Sequence, residues 1–499
     1  MRTSQVLRVI PKSASFVFEF NNNKSFYDIY NDNKLFSILI GKIGLDDLDT
    51  LKQQLLLNPL IEKYFTGQNI FISIHPENKN DLGLLFTIPA ASGFDLLMPG
   101  KLNSYGKGIS VTSFQSGSKP GFIFYIKSIK KNFYTVINDD NILSGSFSRQ
   151  LINQTSAYKN DADNLAFDAV PEGENTNSMA NLFINYNQLR PLFEQLFKNK
   201  NSDIFECLQR INGMASLSLN YRGDALMFNG PTDINKKVPF YLNLYTSQQP
   251  MVNHLKDIFP SSTAFSTNFA VSDPLKFEDD LSKWQTAGGV INERDQLFTK
   301  IRSEIGERFR YGFIHLLGNE YALVTTRYFE KFAIISTKDG SKLRALLVKI
   351  SDMANENLGQ FNYEKIPYFL LGDPFNNFKR PYFTVIDNYL ILANSSGELA
   401  SFYDSYIHRK FLSKNQKYNR FDYLLAERSN VAFLFNFRNA APVLKRDMDT
   451  AVYNKIEKNE ADYNNFYGAS VQLSASNNNF YSNFCLKLNT DTTGMKSNK

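Results

Sequence analysis

Short apolar runs of period two fill most of the chain, and helical spacing is confined to a few stretches. Residues 15–20 form a strand entered from Pro11. Residues 46–64 place Leu48, Leu51, Leu55, Leu56 and Leu60 at helical spacing. Residues 69–75 and 83–88 make a strand pair across a polar turn. Residues 122–126 and 132–137 make another, followed by a strand at 141–145. Residues 183–186 are a strand, after which Asn187 caps a helix carrying Pro191 near its first turn, where a missing N–H is tolerated. Residues 215–221 and 225–229 close this half, joined by Arg222-Gly223-Asp224.

The pattern then recurs. Pro11, Ser13, Phe16 and Phe20 match Pro260, Ser262, Phe265 and Phe269 at an offset of 249. Residues 133–137 match 382–386, and Ile142-Leu143 matches Ile391-Leu392, at the same offset. Residues 182–185 match 433–436 and Pro191 matches Pro442 at 251, and Gly213 pairs with Gly468 at 255. Matches in the same order with so little drift predict an internal duplication, with units 1–248 and 249–499. Short strand-to-strand turns require antiparallel pairing. The expected class is α+β: two tandem copies of a mostly antiparallel sheet-plus-helix unit. There is no regular βαβ rhythm and no Gly-rich strand-to-helix turn, which disfavours a nucleotide-binding doubly wound fold.

Composition narrows the class. With 499 residues, 43% hydrophobic and 21% charged, the chain has enough apolar surface for a large core, which excludes general disorder and a disulfide scaffold. Lys and Arg number 55 against 49 Asp and Glu, a net charge of +6 that is too mild for a nucleic-acid partner. No run of about 20 apolar residues is present, so no helix of this chain is expected to span a bilayer. Cys207 and Cys485 make one bridge at most; two buried thiols are the favoured reading, a bridge across the halves the other.

Candidate chemistry is sparse. No HExxH, GxSxG or SxxK motif or calcium loop occurs, and no metal or cofactor is expected. His75 and His315 each follow Ile at an expected strand end and are candidates for equivalent positions. A structural role is favoured for both over catalysis, which needs a carboxylate or serine partner. Asp161, Asp163, Asp168, Glu172 and Glu174 form an acidic loop, read as solvated. The matching stretch of the second half is basic and aromatic. Arg409, Lys410, Lys414, Lys417 and Arg420, interleaved with Tyr418 and other aromatics, read as a solvated helix end and loop or as a candidate binding patch for an acidic partner, a phosphate-rich surface or a single strand. Retained framework positions and divergent loops point to an interaction surface rather than a catalytic pocket.

The segment from Ile10-Pro11-Lys12-Ser13-Ala14 to Asn22, and the segment from Asn69 to His75 followed by 81–86, resemble a family of uncharacterised envelope proteins of Bacteroidota-type bacteria. The resemblance implies an extracytoplasmic domain preceded by an N-terminal membrane anchor. It carries no catalytic residues. The resulting expectation is a non-enzymatic binding or scaffolding protein of the cell envelope, acting on a protein or envelope partner. A carrier of a hydrophobic ligand, a cytoplasmic protein, or an enzyme with dispersed catalytic residues are the alternatives.

Overall fold

Aromatic and β-branched residues at alternate positions build twenty strands into one antiparallel sheet, because each strand has an apolar face to bury. The computed structural model describes residues 3–23, 50–59, 62–77, 82–91, 108–157, 178–198, 206–458 and 465–489, with Phe167 and Ile204 as isolated positions. The strands of the first half are β1 (Phe16–Asn21), β2 (Asn69–Pro76), β3 (Leu82–Pro89), β4 (Ile109–Ser116), β5 (Lys119–Ile126), β6 (Lys131–Asn138), β7 (Ile142–Ser146), β8 (Ala180–Asn185), β9 (Gly213–Arg222) and β10 (Ala225–Ile234). The second half contributes β11 (Met251–Val252), β12 (Thr263–Ala270), β13 (Leu317–Thr326), β14 (Lys331–Thr337), β15 (Ser351–Met353) and β16 (Gly359–Phe361). It continues with β17 (Tyr382–Ile386), β18 (Tyr389–Ala393), β19 (Arg428–Ser429), β20 (Val431–Asn436), β21 (Phe466–Ser476) and β22 (Asn479–Leu488). Strands β11 and β19 form a separate pair.

Across the large sheet the order is β4-β5-β6-β7-β3-β2-β1-β8-β9-β10, then β22-β21-β20-β12-β13-β14-β18-β17-β16-β15. The class is α+β, as the pattern of short strands and turns implied. The halves join where β10 lies antiparallel to β22, with Asn229 opposite Asn483. Phe228 and Phe484 pack with ring centroids 6.3 Å apart, and the Thr232 and Ser482 hydroxyls lie 2.5 Å apart. The Asn479 amide donates to Asp233 (2.7 Å), and buried Lys487 pairs with Asp224 (2.6 Å).

The joint explains a difference from the sequence pattern. Gly230-Pro231 marks a strand end there, yet β10 runs on to Ile234. Pairing with β9 lapses at these two residues and resumes at Thr232, while β22 keeps the strand in place from the other side. A Cβ at Gly230 would stand 2.1 Å from the Ser216 carbonyl oxygen, so only glycine fits.

Helices cover the sheet. Asp273 caps Pro274–Ala287, accepting from the Leu275 and Lys276 amides, and Phe277, Leu281 and Gln285 bury one face. Ile291–Ile305 ends at Gly306 in the left-handed region, and Phe309–Leu316 leads into β13. Ser395 and Glu398 form a reciprocal cap on Ser396–Ile407. Two other expectations change. Of the long helix expected over 46–64, residues 46–49, 60 and 61 lie outside the described residues; the described part breaks before Pro59 into Lys52–Leu56 and Glu62–Phe65, since proline cannot continue the ladder. In the first half the turn Tyr186–Gln188 precedes the helix Leu189–Leu196, which has no side-chain cap, whereas Asn436 caps Phe437–Asp447 in the second. One apolar core spans both halves, uniting Leu217, Leu226 and Phe228 with Phe269, Tyr321 and Leu473.

Replacing Asp224 with Ala leaves the Lys487 ammonium buried without its partner. It should destabilise the protein by about 2 kcal/mol in denaturant titration, and the Asp224→Ala/Lys487→Met double variant should recover most of that loss.

Candidate functional site

The basic stretch of the second half follows Ser396–Ile407 and runs through a turn at Leu412–Lys414 into the helix Gln416–Asp422. Arg409, Lys410, Lys414 and Arg420 are exposed, and Lys417 is half-buried and points at Asn489 (3.5 Å). Tyr418 departs from the expectation. It is 4% exposed and packs in a cluster with Leu255, Ile258, Leu399 and Phe402. On a short helix, Tyr418 and Phe421 lie three apart on the inward face, so the aromatics face the core while Arg420 faces out. Burial, with Asp422 and Asp257 nearby, holds the Tyr418 hydroxyl well above the ordinary phenol range. The patch is therefore cationic but not aromatic at Tyr418. Its charge is also partly balanced. Asp404 accepts from both Lys410 and His408 (2.9 Å each), which holds its carboxyl below the usual range. Lys256 binds Asp422 at 2.6 Å. The acidic positions Asp161, Asp163, Asp168, Glu172 and Glu174 lie outside the described residues.

The two histidines are not equivalent. His75 is in β2, whereas His315 is at the end of the helix Phe309–Leu316, exposed and packed against Tyr311 with ring centroids 3.9 Å apart and the planes tilted by 36°. The sequence match failed because both follow Ile, while the second half carries three helices before β13. The β2 ladder places His75 opposite Gly83 at the sheet interior. Its ring is fully buried between two hydroxyls, Ser13 at Nδ1 (2.9 Å) and Ser73 at Nε2 (2.8 Å). Burial lowers its pKa to about 4. The imidazole is thus neutral at pH 7 and fastens β2 to the segment preceding β1. No carboxylate is bonded to it among the described residues.

Among the described residues, two apolar hollows of about 70–80 Å³ open in the core. One, about 80 Å³, lies among Leu51, Phe65, Ile70, Phe86, Phe124 and Phe133 in the first half. The other, about 70 Å³, runs from Phe269 and Tyr241 to Arg210 and Asp373, which pair at 3.0 Å. Both are smaller than the roughly 150 Å³ that holds one benzene ring. Beside the second hollow lies a feature not read from the sequence, a file of buried phenols. Tyr245 bonds Tyr321 (2.5 Å) and Tyr241 (2.9 Å), and the Tyr241 hydroxyl donates to the Leu371 carbonyl (2.5 Å). Burial raises the pKa of all three. The signal available was Tyr241 and Tyr245 four apart, one turn of helix, but the third member is 76 positions away. Cys485 is a free buried thiol, pushed up to about 12 by burial. Among the described residues no group of three His, Cys, Asp or Glu is close enough to hold a metal ion, and no helix is long and apolar enough to cross a membrane.

These geometries set two expectations. The lowered pKa of His75 means that the unfolded chain binds the proton more tightly. The His75 contribution is complete above about pH 6.5 and falls as pH drops toward 4, by about 3 kcal/mol at most. Denaturant titrations at pH 7 and pH 4.5 should show this fall in the native protein and a flatter profile in His75→Gln. Tyr245→Phe strips both neighbours of a partner and should cost about 1–3 kcal/mol, more than Tyr321→Phe at the end of the file; thermal unfolding of both variants checks the order.

In comparisons with known proteins, no protein-family model, no curated protein and no solved structure matches the chain.

Proposed function

We propose that the chain is a non-enzymatic binding or scaffolding protein of the bacterial cell envelope, made of two copies of one α+β unit at residues 1–248 and 249–499. The strand order supports the two-copy part of this reading. After the β10–β22 joint it runs through the second half's strands in the reverse of the order before the joint. Register supports the same view. Phe16 faces Ile184 and Phe265 faces Phe435, which keeps the offsets of 249 and 251 seen in the sequence. By the β8–β9 and β20–β21 registers, Asn185 faces Met214 where Asn436 faces Gly468, so Gly468 answers Met214 rather than Gly213. The joint crosses at Asn229 and Asn483, which occupy the same place in the two units. That is the self-complementary geometry of a two-fold dimer, here within one chain.

The shared positions are packing and backbone residues, and the surface around them differs between halves. A frame held by packing with a varied surface suits recognition better than one repeated reaction. The envelope setting rests on the resemblance of the opening segment, and an anchor ahead of the chain would hold the protein at a membrane. The carrier alternative has the two apolar hollows in its favour, but their size suits only a small molecule. The sealed position of His75 favours its structural role over a catalytic one.

Cross-linking in native membranes followed by mass spectrometry tests the reading. A reproducible partner in fixed ratio is expected, and Arg409→Glu/Lys414→Glu/Arg420→Glu should reduce its capture several-fold without shifting the melting temperature. Capture unchanged by the reversal removes the patch from the interface. A turnover or a tightly co-purified small molecule in place of a partner rejects the binding reading.

A further inference from the structure

The hairpin between β13 and β14 breaks a local rule. The Phe329 amide donates to the Thr326 carbonyl (3.0 Å), and the Thr326 amide donates to the Glu330 carbonyl (3.0 Å). A turn closed this way needs one residue in the left-handed region, a place that glycine normally takes. Here Phe329 takes it, with φ +69. A bulky side chain in that region is strained. Phe329 is 37% exposed, its ring lying against Arg446, and Tyr328 beside it is 66% exposed. Two aromatic rings therefore stand beyond the strand ends. The sequence linking β2 to β3 in the first half, Glu77-Asn78-Lys79-Asn80-Asp81, has no aromatic residue.

Cations border the tip. The Arg446 guanidinium lies 4.1 Å from the Phe329 ring centre, and Arg327 lies 5.8 Å from that of Tyr328. The Arg327 amide donates to the Ser262 carbonyl and the Ser261 amide to the Lys410 carbonyl, both at 2.8 Å. This brings the turn at Arg409 and Lys410 to the same end of the sheet. Arg446 is paired with Asp447 and Lys410 with Asp404. Arg327 and Arg409 have no carboxylate at ion-pair distance among the described residues; Arg409 is exposed and Arg327 half-buried.

We propose that this tip docks on an anionic lipid surface, with Tyr328 and Phe329 entering the headgroup layer and Arg327 and Arg409 meeting lipid phosphates. Aromatic rings with a polar neighbour favour the membrane–water boundary, and nearby cations add attraction to anionic lipid. A convex tip of two rings would need a matching pocket in a protein, whereas a bilayer yields to it. The inference rests on the binding-module reading and names a partner for it.

The test uses the full chain and phosphatidylcholine vesicles with and without phosphatidylglycerol, followed by co-sedimentation at low and high salt. Association is expected only with phosphatidylglycerol, and weakened by salt. Tyr328→Ser/Phe329→Gly should weaken it about tenfold or more by removing both inserted rings, with an unchanged or higher melting temperature because glycine accepts the backbone angle. Arg327→Glu and Arg409→Glu should each weaken it about fivefold or more. No phosphatidylglycerol-dependent association, or association that survives both sets of substitutions, overturns the proposal. A protein cross-linked through the tip in place of lipid overturns it too, while leaving the binding-module reading standing. Loss of every partner, lipid and protein alike, would reject both.

Discussion

The pairing of β10 with β22 is the constraint on which the rest of the structure depends. It turns two sheets of ten strands into one of twenty and covers an edge on each that would otherwise present unpaired amides and carbonyls. It also keeps in register a strand that carries Gly230 and Pro231, because β22 supports β10 where the β9 ladder lapses. The core built on this joint is continuous, so Leu226 and Phe228 on one side share a cluster with Phe480 and Leu486 on the other.

Buried polar groups specify that core. His75 spends both ring nitrogens on Ser13 and Ser73. The three phenols of Tyr321, Tyr245 and Tyr241 end on the Leu371 carbonyl, so each hydroxyl hydrogen has an acceptor. Satisfied networks of this kind penalise any alternative packing, because a slipped partner leaves a polar atom dry. His75 and the three tyrosines are thus each accounted for by hydrogen-bond satisfaction in the interior.

One end of the sheet gathers the Arg327–Phe329 turn, the Ser261–Ser262 turn and the Arg409–Lys410 turn through three backbone segments. There Phe329 is strained, and Arg327 and Arg409 have no ion-pair partner among the described residues. The basic stretch noticed in the sequence is one part of this end. Its buried Tyr418 belongs to the interior, while Tyr328 and Phe329 come from the β13–β14 hairpin.

Alternation, turn residues and recurring offsets were enough to predict strands, antiparallel pairing and the α+β class from the sequence, since these are set by neighbours a few positions apart. The positions of Phe16, Phe20, Phe265 and Phe269 are of this kind. What sequence alone did not decide was anything set by contacts between distant segments. Only the tertiary structure carried β10 past Pro231, placed Tyr418 inside, separated His315 from His75 and brought Tyr321 to Tyr245. The physical reason is that burial and hydrogen-bond satisfaction belong to the assembled sheet. A residue's face, its partner and its charge state are fixed by which strand or helix is laid against it, and that neighbour is often one or two hundred positions away.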